Sequence, residues 1–323
     1  MDKLTYREND RFFPIPENEK NLPFVIAKHF IDIPVNPDGI NILEGLCFDR
    51  NGDLFICNTP QGKIYKLNVK TKELKLFVEL PNHMMPSAIK IHKDGRIFAT
   101  IAGSDNGCLI LILSEKGEIL DEIITGTNKM IDDMVFDTDG GFYFTDLGGT
   151  MSNKTAGVFY VSPDYKSVYP VIEKGMIASN GIVLDSSGRN LWVSEYGAGK
   201  LHRMSLKEDH YTIEPASSYV AYNFVGLEGP DSMSMDEDEN IYVAICGQAR
   251  YMVFNSNGFP ISQILLPERE KGKMAKSTHL VIDPFTNIAY MCSADLNENK
   301  CAIYTAEVYA KSYKFFSISI GGN

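Results

Sequence analysis

One short phrase occurs six times in the sequence, at nearly constant spacing. Each copy starts with a polar residue, continues through a short apolar run, and reaches an Asp or His five positions later. A turn of small and polar residues follows, and then a second apolar run. The leading residues are 43, 45, 48, 51 and 47 positions apart. They are Glu44, Ser87, Asp132, Asn180, Asp231 and Thr278.

Each repeat contains enough chain for four short strands. In the first repeat, alternating apolar runs begin near Glu44, Leu54, Ile64 and Leu74, and turn residues separate them. A repeat of about 40–50 residues with four strands is typical of a β-propeller blade. The sequence therefore predicts an all-β fold, a six-bladed β-propeller with four-stranded blades around a central channel. A β-sandwich also has many short strands, but it does not require this constant spacing.

Two segments fall outside the repeats. Residues 1–40 are rich in proline, and we expect an N-terminal arm that packs on the propeller and contributes a strand near Val25 to Phe30. Residues 41–323 are predicted to form one propeller domain, with a last strand from Lys314 to Ile320. A propeller must close its ring or leave a sheet edge exposed. The sequence leaves open which terminus supplies the closing strand.

Composition excludes several kinds of partner. The net charge is −11 and there is no basic cluster, so neither nucleic acid nor an anionic membrane is an expected partner. No apolar run is long enough for a membrane helix, and the first residues do not resemble a secretion signal, which favours a cytoplasmic protein. The six cysteines form no CxxC pair and are expected to be buried, reduced thiols. The oligomeric state is left open.

The leading residues predict a metal site. The first strand of each propeller blade lines the channel, so these six side chains should face one another around the axis. Crowded carboxylates repel, and burying them without a partner is costly, which a central cation would relieve. Ligands that are all oxygens suit Ca²⁺, with Mg²⁺ or Mn²⁺ as possible substitutes. The predicted ligands are Glu44, Asp132, Asn180 and Asp231, whereas Ser87 and Thr278 are expected to cap their turns or to contact water.

Several longer phrases resemble a known family. The sequence is similar to the senescence-marker-protein/gluconolactonase (regucalcin-like) family, and within it to the bacterial drug-responsive lactonase branch. The resemblance extends from about Glu44 to Tyr304. The phrases that carry it include Glu44-Gly45, Ile89 to Arg96, Ile131 to Asp137, Gly140 to Asp146, Ser179 to Ile182, Leu201 to Arg203, Glu228 to Ser232 and Ser277 to His279.

This resemblance implies a six-bladed propeller that holds a calcium ion in its channel and hydrolyses a lactone or a related ester. By position, the four predicted ligands match the calcium ligands of the family. Asp231 also matches the residue assigned to proton transfer, and Ser232 matches a residue beside the metal. The branch has a second, structural calcium site whose carboxylate position is occupied here by Ile124. We therefore expect that second site to be absent or weak, although Ser104 and Thr127 retain oxygens.

The expected chemistry is attack of water on an ester carbonyl that the central ion polarises. Asp231 is the first candidate for the general base, but a cation beside a carboxylate lowers its pKa and makes it a weaker base. Asp133 and His279 are the other candidates, and strand alternation predicts that the side chain of Asp133 turns away from the face of Asp132. No Gly-x-Ser-x-Gly motif supports a serine hydrolase.

Three functional classes remain after this reasoning. The first is a calcium-dependent lactonase, whose partner is a small lactone or ester. The second is a phosphotriesterase that uses the same metal site on organophosphates, because a Lewis acid polarises P=O as well as C=O. The third is a non-catalytic calcium-binding propeller, since a fold alone does not decide function.

Overall fold

The computed structural model describes residues 11–103, 109–125, 130–313 and 316. In these residues the secondary structure consists of β-strands and four short 3-10 turns, which confirms the predicted all-β class. No helix in the described part of the chain is long and apolar enough to cross a membrane. The 3-10 turns are η1 (Glu17–Glu19), η2 (Thr59–Gln61), η3 (Tyr196–Ala198) and η4 (Arg269–Lys271).

The first three blades are four-stranded antiparallel sheets that follow chain order, apart from the two arm strands β1 (Phe24–Ile26) and β2 (Lys28–Ile33) that precede them. Blade 1 consists of β3 (Leu43–Phe48), β4 (Asp53–Asn58), β5 (Lys63–Asn68) and β6 (Glu73–Glu79). Blade 2 consists of β7 (Pro86–Ile91), β8 (Ile97–Ile101), β9 (Leu109–Leu113) and β10 (Ile119–Ile124). Blade 3 consists of β11 (Ile131–Phe136), β12 (Phe142–Asp146), β13 (Ala156–Val161) and β14 (Val168–Met176).

The last three blades repeat this meander, and the arm completes two of them. Blade 4 consists of β15 (Ser179–Leu184), β16 (Asn190–Glu195), β17 (Lys200–Leu206) and β18 (Ile213–Asn223). Blade 5 consists of β19 (Pro230–Met235), β20 (Ile241–Ile245), β21 (Arg250–Phe254) and β22 (Pro260–Leu265), with β1 added outside β22. Blade 6 consists of β23 (Lys276–Ile282), β24 (Ile288–Asp295), β25 (Lys300–Glu307) and the arm strand β2.

The N-terminal segment closes the ring. Strand β2 runs antiparallel to β25, with Lys28 opposite Thr305 and Ile33 opposite Cys301, and so forms the outer strand of blade 6. Blade 6 therefore joins strands from both ends of the chain, which answers the question that the sequence left open. The predicted strand near Val25 to Phe30 is divided into β1 and β2, which join different blades. The strand predicted from Lys314 to Ile320 lies outside the described residues except for Phe316.

The hydrophobic core lies between the blades. Six clusters of buried apolar side chains are present in the described residues, and each joins two neighbouring blades. Where the ring closes, Phe48 of blade 1 packs edge-on against Tyr290 of blade 6, with ring centroids 5.3 Å apart. Aromatic pairs in this arrangement add to the stabilisation from burial alone. The inner strands β3, β7, β11, β15, β19 and β23 are thereby held around one channel.

A buried ion pair anchors the arm to blade 5. The guanidinium of Arg250 lies 2.5 Å from a carboxylate oxygen of Glu19, and their side chains are 1% and 2% exposed. The other carboxylate oxygen of Glu19 accepts a hydrogen bond from the hydroxyl of Tyr222 in blade 4. Removing one partner of such a pair leaves a buried charge without compensation.

We expect Glu19→Ala to lower the free energy of unfolding by about 3–5 kcal/mol, because it leaves the buried charge of Arg250 without its carboxylate partner. Urea denaturation followed by circular dichroism measures the change. Glu17→Ala is the matched control, since Glu17 pairs with Lys20 at the surface and should matter by less than about 0.5 kcal/mol. Equal effects of the two substitutions would show that the buried pair does not anchor the arm.

Candidate metal centre in the central channel

The six leading residues occupy equivalent positions around the channel, each near the start of an inner strand. All six are buried, from Thr278 at 3% exposed to Glu44 at 9%. The side-chain hydroxyls of two of them bond to backbone carbonyls, which is not the contact expected of a metal ligand. Ser87 Oγ donates to the carbonyl of Asp132 in blade 3 at 2.9 Å, and Thr278 Oγ1 donates to the carbonyl of Leu43 in blade 1 at 2.6 Å. These hydroxyls therefore connect neighbouring blades rather than cap the turns before their own strands.

Hydroxyls on the second strand of three blades hold the backbone of the ring. Thr100 donates to the carbonyl of Asp132 at 2.5 Å, and Thr145 donates to that of Asn180 at 2.5 Å. Ser194 donates to the carbonyl of Asp231 at 2.7 Å. Each bond crosses from one blade to the next and ends on a predicted ligand. These residues were not predicted from the sequence, although a Thr or Ser recurs 13 or 14 positions after the leading residue of the same blade.

Small residues follow the leading residue where inner strands approach closely. A Cβ added at Gly181 would lie 2.6 Å from the carbonyl oxygen of Asp231, and one added at Gly45 would lie 2.8 Å from that of Ser87. Any larger side chain would push these strands apart. The Glu-Gly and Asn-Gly pairs of the repeated phrase are thus requirements of packing around the channel.

Burial and mutual repulsion act on the three carboxyl groups of the ring. Burial raises the pKa of Glu44 well above its usual range, and the charges of Asp231 and Asp132 raise it further. Burial, followed by Asp231 and Asp133, likewise raises the pKa of Asp132. Burial raises the pKa of Asp231 to about 7, against hydrogen bonds from the Ser232 backbone and from Asn180 and Cys246. These carboxyls need protons or a cation to be stable together.

Asp133 does not turn away from the ring as strand alternation suggested. The pairing of β11 with β12 shifts register between Ile131 and Met134, so the regular alternation is interrupted there. The Asp133 carboxylate lies 3.1 Å from the ammonium of Lys90 in blade 2 and accepts a 3.4 Å hydrogen bond from the Ile182 backbone in blade 4. It therefore faces the channel together with Asp132, and its partner Lys90 was not identified from the sequence.

His279 and Ser232 occupy the equivalent position in blades 6 and 5. His279 is 1% exposed, and neither ring nitrogen has a hydrogen-bond partner among the described residues. Burial, with a smaller contribution from Lys90, lowers the pKa of His279 well below its usual range, so the ring is neutral. Ser232 Oγ donates to the side-chain oxygen of Asn180 at 3.4 Å, and its backbone N–H donates to the carboxylate of Asp231 at 3.0 Å, so Ser232 links two predicted ligands.

A polar cluster lies beside Asp231, at the start of the inner strands. The carboxylate of Glu228 pairs with Lys276 and accepts hydrogen bonds from Cys246 Sγ at 2.8 Å and from the Tyr196 hydroxyl at 3.2 Å. Cys246 also lowers the pKa of Asp231 through a hydrogen bond. This thiol, expected only to fill space, therefore contacts the carboxylate with the proposed proton-transfer role. No pattern in the sequence connects these residues.

The donor set fits a hard cation, although the side chains are not gathered as in a finished coordination sphere. Within the part of the chain that the structure describes, no three His, Cys, Asp or Glu side chains form a group arranged to hold a metal ion. The buried set nevertheless offers carboxylates and one amide, which are the ligands that Ca²⁺ prefers. The raised pKa of each ring carboxyl is the physical sign that positive charge would stabilise this level of the channel.

Comparison with known proteins identifies the family. The chain is 42% identical to lactonase drp35 of Staphylococcus haemolyticus over 324 residues, which cover 98% of both chains. The chain belongs to the SMP-30/gluconolactonase family. Residues 125–275 match the family model of the SMP-30/Gluconolactonase/LRE-like region. The chain is also 44% identical to lactonase drp35 of Staphylococcus aureus strain MRSA252, over 93% of this chain and 92% of that relative. The resemblance drawn from the repeated phrases is confirmed.

A solved structure supports the propeller fold. The calcium-binding protein regucalcin from Agrobacterium tumefaciens is similar with a TM-score of 0.68 and 15% identity, over 91% of this chain and 99% of that one. At this identity the likeness shows the fold alone.

The second calcium site is still predicted to be absent or weak. Ile124, at its carboxylate position, is 71% exposed, and Ser104 and Thr127 lie outside the described residues.

We expect Ser194→Ala to lower the free energy of unfolding by about 1–3 kcal/mol, because it leaves the buried Asp231 carbonyl and the Gly181 N–H without their side-chain partner. Chemical denaturation measures the loss. Ser187→Ala is the matched control, because that hydroxyl bonds an aspartate at an exposed turn. A change no larger than in the control would show that the interblade hydroxyl does not support the ring.

The pKa of Asp231 predicts how the metal-free protein responds to pH. Its carboxyl binds a proton up to about pH 7 when folded but only to about pH 4 when unfolded, so the native state holds more protons between these values. Stability in chelator should therefore fall as pH rises from 4 to 7. Thermal unfolding at several pH values measures this slope, and Asp231→Asn should make it shallower, because only Glu44 and Asp132 then contribute from the ring. A slope that is unchanged in the variant would contradict the assignment.

Proposed function

We propose that the protein is a calcium-dependent lactonase that opens cyclic esters by attack of water. The observation that carries this proposal is the burial of Glu44, Asp132, Asn180 and Asp231 at equivalent positions of four inner strands, where the charges of Asp231 and Asp132 act on Glu44. Similarity over nearly the full length to relatives named lactonase drp35 supports the choice of reaction. The structurally similar regucalcin, described as a calcium-binding protein, supports the choice of metal.

These four residues would hold the cation, with Mg²⁺ or Mn²⁺ as possible substitutes. A bound Ca²⁺ would supply Lewis acidity toward the ester carbonyl and its developing negative charge. Among the chain's own residues, Ser232 orients Asn180 through its hydroxyl, and Thr145 and Ser194 keep the backbones of Asn180 and Asp231 in register. The site is thus prepared by groups that do not themselves react.

Asp231 is the proposed proton acceptor for the attacking water, and it would return the proton to the alkoxide that leaves when the ring opens. Its pKa of about 7 without metal lies where a general base works well, but a neighbouring cation would lower it. The Ser232 N–H donates to this carboxylate at 3.0 Å and orients it. Asp133 and His279 remain alternative bases; Asp133 is held by Lys90, whereas the acceptor nitrogen of neutral His279 has no hydrogen-bond partner among the described residues.

We expect Asp231→Asn to reduce turnover of simple γ- and δ-lactones by about 10²–10⁴-fold, because the amide cannot accept the proton. Asp238→Asn, at the exposed turn after the same strand, is the matched control and should retain wild-type turnover. A chelator should abolish turnover, and added Ca²⁺ should restore it.

The same assays separate the alternatives. A preference for a fluorophosphate over lactones and aryl esters would favour a phosphotriesterase, and no turnover of any of them would favour a non-catalytic propeller. Full lactone turnover by the Asp231→Asn variant would show that another residue is the base. If a chelator changes neither activity nor the melting temperature, the metal hypothesis is wrong.

A further inference from the structure

Lys90 is an unusual residue for its position on the inner strands. Three positions after the leading residue, the six repeats carry one charged side chain among small or apolar ones, and that side chain is Lys90. Its side chain is 18% exposed. The equivalent residues are Cys47, Val135, Val183, Ser234 and Val281. A lone, partly buried lysine at a position otherwise occupied by such residues requires an electrostatic reason.

The ammonium of Lys90 pairs with a carboxylate that is almost completely buried. It lies 3.1 Å from Asp133, whose side chain is 1% exposed. The inner strands also carry Glu44, Asp132 and Asp231, and their other lysine, Lys276, is already paired with Glu228 beside Asp231. Lys90 is therefore the positive charge that the described inner strands place toward the acidic interior of the channel.

The charge of Lys90 reaches groups on three other blades. In blade 1 it lowers the pKa of Cys47, against the burial that raises it. In blade 3 it lowers the pKa of Asp132, against burial and the charges of Asp231 and Asp133, which raise it. After burial, it is the other cause that lowers the pKa of His279 in blade 6. A charge with this reach acts on the whole channel and not only on its nearest partner.

We propose that Lys90 is the protein's own counter-cation for the acidic channel, where it opposes a divalent cation at the ring and holds Asp133 apart from the ring ligands. This inference rests on the proposed function, because it concerns the same metal site. A fixed positive charge in a channel repels an entering cation, and in a poorly solvated interior this repulsion is much stronger than in water. Lys90 therefore stabilises the protein without metal and weakens its affinity for metal.

The test compares Lys90→Met with Lys93→Met, which removes the same charge from an exposed position three residues further along the chain. Calcium binding is measured by isothermal titration calorimetry after chelator treatment. We expect Lys90→Met to bind Ca²⁺ about tenfold or more tightly than wild type, because it lacks the opposing charge. Lys93→Met should bind with wild-type affinity, to within about twofold, because exposed charges are screened.

Thermal unfolding gives a second measurement that does not depend on activity. In chelator, Lys90→Met should melt at a lower temperature than Lys93→Met, because Asp133 is left buried without its partner. Saturating Ca²⁺ should raise the melting temperature of Lys90→Met by more than it raises that of wild type. Lys90→Gln, which still donates a hydrogen bond to Asp133, provides the same comparison of affinities if Lys90→Met does not fold.

The outcomes distinguish this inference from the proposed function. If the wild type binds calcium and hydrolyses lactones but the Lys90 variants bind calcium no more tightly, the role of Lys90 is refuted and the proposed function stands. A purely structural role would lower stability with and without calcium equally and would not tighten binding, which also refutes the inference. Absence of calcium binding by the wild type would overturn both.

Discussion

Repulsion among buried carboxylates is the constraint on which the rest of the channel depends. Glu44, Asp132 and Asp231 are each less than a tenth exposed, and each has a pKa raised by burial. Bringing such groups together lowers the free energy of unfolding, so their presence favours a functional explanation over a structural one. In the proposed function a cation at the ring would relieve this repulsion, and Lys90 would relieve part of it from within the chain.

The propeller withstands this repulsion because its inner strands are fixed from both sides. Six hydrophobic clusters join neighbouring blades, and β2 from the N-terminal arm completes blade 6, so the ring is closed by hydrogen bonds between the two ends of the chain. Near the axis, the hydroxyls of Thr100, Thr145 and Ser194 bond the backbone carbonyls of three predicted ligands. The predicted ligands on such strands would need little backbone reorganisation before they bind a cation.

The repeated phrase predicted the fold and the ring but not the contacts around the ring. Equivalent positions in a repeat must face one another when the repeats form a closed ring, which is why Glu44 and Asp231 could be grouped although they are far apart in the sequence. The prediction for the side chain of Asp133 was wrong, because it assumed regular alternation where the strand shifts register. Lys90 and the Glu228–Lys276 pair escaped notice, because each joins different blades and no repeat contains both partners.

The sequence by itself determined the all-β class and the number of blades, and it predicted where in the channel oxygen ligands lie. It could do so because blade period and strand alternation are local properties that six copies repeat. Only the tertiary structure decided that the N-terminal arm closes the ring, that Asp133 faces the channel, and that Lys90 is its partner. These depend on which strand edges meet and on a local register shift, and pairings between distant segments leave no periodic trace in the sequence.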